Sequence, residues 1–208
     1  LQQTELEFSH MTASSSLGLI TLMKKICNSP SLLQSDSYYN SSIKDSNIRA
    51  KYGNIIDSGK LKVLISLLDN IRKEAPDEKV VIVSNYTQTL DIIQNNLLSR
   101  EMTLVRLDGS TPQKLRDSIV NNFNKNKSVF AFLLSAKSGG VGLNLIGASR
   151  LILFDNDWNP SVDLQAMSRI HRQGQKRHCY IYRLVTTGSI DEKIFQRQLM
   201  KHLSLIHI

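Results

Sequence analysis

From Val80 onward, short apolar runs alternate with longer amphipathic stretches, and no other feature of this chain limits its fold so tightly. Val80-Val-Ile-Val83, Thr103-Leu-Val-Arg-Leu107, Val129-Phe-Ala-Phe-Leu-Leu134, Leu151-Ile-Leu-Phe154 and Cys179-Tyr-Ile-Tyr-Arg-Leu-Val185 read as strands. Helices are expected over about 87–99, from Pro112 with Leu115, Ile119, Val120 and Phe123 along one stripe, from Pro160, and from about Ser189. Strands this apolar are buried on both faces, which calls for a parallel sheet between two helical layers with right-handed crossovers. The expected class is therefore α/β, a three-layer lobe with a mainly parallel sheet. In such sheets ligands bind in the loops beyond the carboxyl ends of the strands. The chemistry is to be sought there.

The first 57 residues read differently. Residues 16–28 form a short amphipathic helix in this reading, stopped near Asn28-Ser-Pro30. Residues 34–57 are rich in Ser, Asn, Asp and Tyr without a period, which predicts a surface connection or a partly disordered insertion. Ser58 is placed to cap a helix whose apolar stripe is Leu61, Leu64, Ile65, Leu68 and Ile71. The chain thus divides at 1–57, 58–200 and 201–208, the last a tail that matches no pattern and reads as truncated or non-native. Beginning at Leu1 without a signal-peptide pattern, the sequence reads as a fragment.

Charge sharpens the division. Residues 1–57 carry five basic and five acidic residues, so all of the net +8 lies beyond them. No acid occurs between Leu164 and Ile190, where Arg169, Arg172, Lys176, Arg177 and Arg183 all fall. A field of one sign favours a polyanion, either nucleic acid or nucleotide phosphate. No run approaches the roughly 18 apolar residues that a membrane span requires, so no membrane partner is expected. Two cysteines, Cys27 and Cys179, make neither a disulfide framework nor a metal pair and point to a reducing intracellular compartment.

Several loops carry residues suited to phosphate. Pro160 and Gly174 bracket a predicted helix on which Gln165, Arg169 and Arg172 fall within roughly 60° of one another at about 100° per residue. Two guanidiniums and an amide together suit phosphate oxygens, although a solvated basic face has the same appearance. Ser135-Ala-Lys-Ser-Gly-Gly-Val-Gly142 follows a strand and can present backbone N–H groups beside Ser135 and Lys137, or can be only a tight turn. In Asp108-Gly-Ser-Thr-Pro112, Ser110 or Thr111 is placed to cap the next helix. Asn156-Asp-Trp158-Asn-Pro160 holds the only tryptophan; Asp155 and Asp157 read there as loop or helix-entry residues rather than an acid/base pair. His171 and His178 have no metal-site spacing. A phosphate-cradling G-x4-G-K-[ST] loop is absent: Gly53 to Gly59-Lys60 has five intervening residues and ends in Leu61. Phosphate-facing arginines without a cradle look like half of a nucleotide site.

Taken in order, Ser58-Gly-Lys-Leu61, Val80–Leu90, Leu107-Asp-Gly-Ser-Thr111, Leu134–Leu145, Asp157-Trp-Asn-Pro160 and Gln165–Gln175 resemble the second RecA-like lobe of SWI/SNF-like DNA-dependent ATPases, a branch of the superfamily-two helicases. The run Leu22–Pro30 is similar to the helical segment that precedes this lobe. Tyr180-Ile-Tyr-Arg-Leu184 and Asp191–Gln198 look most like the fungal homologous-recombination branch, while His171 departs from the aromatic residue frequent there. The resemblance implies a nuclear motor that moves along double-stranded DNA on ATP with Mg²⁺, the metal being held by a first RecA-like lobe, and that meets a recombinase filament or chromatin. It implies Arg172 as arginine finger, with Arg169 and Gln165 beside it at the γ-phosphate. Gly140 and Gly142 would sense nucleotide. Asn85, Tyr86, Ser110, Thr111, Ser135, Lys137, Gly139 and Trp158 would touch DNA. The competing readings are an RNA helicase lobe and an inert α/β scaffold that binds proteins through its basic face.

Overall fold

The structure, a computed structural model, describes residues 13–42, 46–53, 55–138 and 142–206. They fall into two compact units, divided between Ser58 and Gly59. In the first, helix α1 (Ala13–Asn28) is followed by a 3-10 turn (Pro30–Leu33) and two short helices, α2 (Ser37–Ser42) and α3 (Ser46–Gly53). Leu22, Leu33 and Tyr39 form its small core. The polar stretch expected to be a surface connection or a partly disordered insertion thus carries helical turns in its described residues. Asp36 accounts for the first of them: its carboxylate accepts from the Tyr39 backbone N–H at 3.0 Å and pairs with Lys25 at 2.6 Å. A local acid and a tertiary cation supply what the apolar period does not.

The second unit opens with α4 (Gly59–Glu74) and continues as β1 (Val80–Ser84), α5 (Thr87–Leu98), β2 (Leu104–Leu107), α6 (Gln113–Lys125), β3 (Ala131–Ser135), β4 (Arg150–Leu153), α7 (Pro160–Met167), β5 (Tyr180–Arg183) and α8 (Ile190–Ile206). Every strand pairing is parallel, in the order β2-β3-β1-β4-β5. Val80 pairs with Ala131 on one side and Arg150 on the other, which puts β1 at the centre.

Alternation along β1 divides the core. Val80 and Ile82 pack with Leu64, Leu68, Leu90 and Ile93 of α4 and α5 on one face. Val81 and Val83 pack with Val120 and Phe123 of α6 and with Ala166 and Ile170 on the other. The fully buried Phe123 and Phe132 rings meet edge-on at 5.0 Å. This is the three-layer α/β arrangement that the apolar runs require.

Because all the strands run the same way, their carboxyl ends share one edge. The chain passes from β1 out to β2, back to β3, and then across β1 to β4, so the winding reverses at the centre of that edge. The segments after β1, β2, β3 and β4 therefore come together there. Among the described residues no helix is long and apolar enough to cross a membrane.

Candidate nucleotide and nucleic-acid site

The carboxyl end of β1 is built around a buried acid. Asp155, just past β4, accepts hydrogen bonds from the Ser84 hydroxyl (2.5 Å), the Asn85 backbone N–H (2.8 Å) and the Asn85 side-chain amide (2.7 Å). Ser84 accepts from the Tyr86 N–H at 3.1 Å, and Tyr86 occupies the N-cap position of α5 in extended backbone. Asn85 and Tyr86 are thus held at the edge by a residue read from sequence only as a loop feature. The Asn85 amide N–H is spent on Asp155, and its Oδ1 is buried with no partner among the described residues.

The loop after β2 is organised by a second acid. Asp108 accepts from the Ser110 N–H (2.9 Å), the Ser110 hydroxyl (2.6 Å) and Arg106 Nε (2.7 Å), and its own N–H donates to the Thr111 hydroxyl (3.0 Å). These bonds hold the Asp108 carboxyl below the ordinary carboxylate range, the Ser110 hydroxyl contributing most. The expected caps are not formed. Pro112 takes the N-cap position of α6 without a side-chain bond, while Ser110 and Thr111 turn back to Asp108. Arg116, missed in the sequence, joins this loop to the next one: Nε donates to Thr111 O at 3.3 Å and Nη1 to Ser138 O at 3.1 Å.

After β3 comes a 3-10 turn over Ala136–Ser138, with Ser135 buried at the strand's end and Lys137 exposed. Gly139 and Gly140 lie outside the described residues. Gly142 has φ +39°, a left-handed conformation that a side chain disfavours.

The arginine segment departs from the expectation of one helical face. Helix α7 starts as predicted, with Pro160 in its first turn and Asn159 accepting from the Ser161 N–H at 3.1 Å, but it ends at Met167. Gln165 is exposed on the helix, while Arg169 and Arg172 lie in the turns beyond it. Tertiary bonds end the helix: Arg169 N–H takes the i−3 carbonyl of Ala166, and Arg169 O accepts from the Leu145 N–H, 3.0 Å away. Gln175 completes the dock by donating to the carbonyls of Ile146, Ala148 and Ile170. Gly174 closes the segment at φ +97°.

This docking brings the arginines to the glycine loop. Arg172 Nη1 donates to Gly142 O (3.1 Å) and Leu143 O (3.3 Å), and its Nε and Nη2 have no partner among the described residues. Arg169 is only 9% exposed. Burial first, and then the charge of Arg172, lower its pKa, though a guanidinium stays charged at any working pH. Two cations close together with a donor edge free suit an anion with several oxygens. Among the described residues no group of three or more His, Cys, Asp or Glu is placed to hold a metal; the guanidinium donors of this site suit phosphate oxygens.

Trp158 is half-buried, with the Arg197 guanidinium 6.0 Å from its ring centre. Its loop is clamped from α8. The fully buried Gln198 donates to Asp157 O at 2.6 Å and to Asp163 at 2.7 Å, and it accepts from Arg183 at 2.9 Å. Burial raises the Asp163 carboxyl above its ordinary range, partly countered by Gln198. A single glutamine late in a helix gives no sequence signal of this kind.

Comparison with known proteins agrees with this geometry. Residues 59–174 match the helicase conserved C-terminal domain family. The chain is 68% identical over 202 residues to DNA repair and recombination protein RDH54 of Saccharomyces cerevisiae, a match that spans 97% of this chain and 21% of the relative. It is 49% identical over 201 residues to DNA repair and recombination protein RAD54B of Homo sapiens, spanning 88% of this chain and 22% of that protein. Among solved structures it is similar to the C-terminal part of the Fun30 ATPase domain, with a TM-score of 0.65 and 32% identity over 84% of this chain and 64% of that one. The chain spans about a fifth of the length of these curated relatives.

Proposed function

Because this chain belongs to the helicase conserved C-terminal domain family, as a RecA-like lobe of the SWI/SNF type, we propose that it is the second motor lobe of a nuclear, ATP-dependent translocase on double-stranded DNA that serves homologous recombination and DNA repair. The observation that carries this reading is the dock of the arginine turn on the glycine loop through Arg172, Gly142 and Leu143. A residue facing nucleotide and a loop facing DNA are there mechanically joined. The names of the RDH54 and RAD54B relatives support the recombination role.

In this mechanism a first RecA-like lobe holds ATP and Mg²⁺. Closure of the two lobes brings the free donor edge of Arg172, with Arg169 and Gln165 beside it, against the γ-phosphate as charge develops there. Gly140 and Gly142 sense the nucleotide through the loop that Arg172 grips. Ser135, Lys137 and Gly139 on that loop, Ser110 and Thr111 on the Asp108 loop, Asn85 and Tyr86 at the end of β1, and Trp158 line the path of one DNA strand. Phosphate contacts dominate, so binding is tolerant of sequence and weakened by salt. A recombinase filament or chromatin is the setting in which such a motor works.

The test is Arg172→Ala in the full-length protein. DNA-stimulated ATP turnover is expected to fall by at least about 10³ with duplex binding retained. Near-normal turnover would overturn the finger assignment and leave an inert scaffold as the better reading. Stronger stimulation of the unaltered enzyme by RNA than by duplex DNA would favour an RNA helicase lobe instead.

A further inference from the structure

The amino-terminal edge of the sheet, opposite the loops above, is also positive, through different residues. A cavity of about 360 Å³ opens there, lined among others by Asp77, Lys79, Asn124, Lys125, Lys127 and Arg177. These residues come from the approach to β1, the end of α6 and the approach to β5. Lys79 is only 8% exposed; its Nζ donates to the carbonyls of Phe123 and of Asn126, the latter at 2.7 Å. Arg177 Nη1 donates to Asp77 O at 2.6 Å. The Lys125 and Lys127 side chains are exposed and make no hydrogen bond or ion pair among the described residues. Asn124 is spent internally, its amide donating to Asn144 O and its Oδ1 accepting from the Gly147 N–H.

The carbonyls that Lys79 meets belong to the C-terminal end of α6, so capping that helix is part of what Lys79 does. Capping does not balance the charge. A helix C-terminus supplies the equivalent of about half a negative charge. The lining carries four cations against the single carboxylate of Asp77. Burial, and secondarily Arg177, depress the Lys79 pKa, as expected where a counter-charge is lacking. The cavity is short of an anion.

We propose that this cavity is a second phosphate-binding site, which takes backbone phosphates of a DNA duplex other than the one held at the carboxyl edge. Three of its four cations are lysines, compact charges that suit phosphate without reading bases. Its lining holds no aromatic or branched apolar side chain to anchor an acidic peptide. The two sites lie at opposite edges of one sheet, so a short straight duplex engaged at one leaves the other open. The inference rests on the reading of the carboxyl edge as the motor's DNA path.

Full-length protein bound to a short immobilised duplex is challenged with a second, fluorescent duplex. The unaltered protein is expected to capture it, and Lys125→Glu combined with Lys127→Glu to weaken that capture at least tenfold. Turnover of ATP on the first duplex is expected to change less than twofold, since neither lysine lies at the carboxyl edge. The salt dependence of second-duplex binding should flatten by about 0.9 in log–log slope for each phosphate that is no longer neutralised. Capture unchanged in the double variant, no capture by the unaltered protein, or displacement of the second duplex by polyglutamate at lower charge concentration than by inorganic polyphosphate would overturn the proposal. Arg172→Ala separates the two readings: capture that persists while turnover collapses upholds both, and turnover that survives while capture persists fails only the finger.

Discussion

The Asp108–Pro112 loop and the turn from Ser168 to Gly174 both stand at the carboxyl edge of the sheet, and both read from sequence as phosphate-facing. They are built on opposite principles. In the first, a buried carboxylate draws every nearby donor inward: Ser110 by two bonds, Arg106 by one, with the Thr111 hydroxyl accepting from the Asp108 N–H. In the second no acid is present, and Arg172 uses one nitrogen on two carbonyls, its others having no partner among the described residues. Polar groups that satisfy one another set the shape of a loop; polar groups left over do the chemistry. Residue type alone does not separate these cases, since each segment holds a serine and an arginine acts at each.

The largest effect expected from this contrast is at Arg172. Arg172→Lys keeps the charge but loses the planar fork, and DNA-stimulated turnover in the full-length protein is expected to drop about 10²-fold with an unchanged unfolding midpoint. If lysine restores normal turnover, Arg172 acts only as a diffuse charge and the contrast is wrong for this turn. Asp108→Asn comes next and should act on stability. It is expected to cost about 1–3 kcal/mol in urea unfolding near neutral pH, because Arg106 loses one of its two ionised partners, Asp91 being the other, and Ser110 loses a charged acceptor. The Asp108 pKa is lowered on folding, so its contribution is present above the unfolded value of 3.8 and is lost as pH falls through the lower folded value. The gap between Asp108→Asn and the unaltered protein should therefore close in acid. A gap that stays constant with pH would place the effect in packing rather than charge. The smallest effect belongs to Ser110→Ala. Losing one hydroxyl bond to Asp108 should cost about 1 kcal/mol, with duplex affinity reduced less than tenfold. A larger loss of affinity than of stability would mean that Ser110 contacts DNA directly.

Much of the scaffold was legible because apolar period is a local property. The runs at Val80–Val83 and Leu151–Phe154 sit within a residue of β1 and β4, and the stripe from Leu61 to Ile71 is the buried face of α4. The arginine helix was legible only at its start. Nothing in Ser168-Arg-Ile-His171 forbids a further helical turn; the chain leaves the helix because Leu145, on a distant loop, claims the carbonyl of Arg169. The same limit applies to Asp155, Gln198 and Lys79, each identified as important only by what lies across the fold from it. Asp155 alone left a trace, as an acid placed directly after a fully apolar strand.

Residues 59–174 suffice to match the family, yet they do not make a closed body. Lys60, in the first turn of α4, forms an ion pair with Asp191 at the start of α8, with both side chains almost wholly removed from solvent. Gln198 lies further along the same helix and carries the loop around Asp157. A polypeptide cut at Gly174 would retain every residue assigned to nucleotide or DNA but lose β5 and α8, and with them the Lys60–Asp191 ion pair and the cover that Tyr182 and Leu184 give the core around Ile152 and Phe154. For this lobe the smallest autonomous piece is set by contacts that span the family boundary, and any dissection of the motor into parts has to be drawn beyond Gln198.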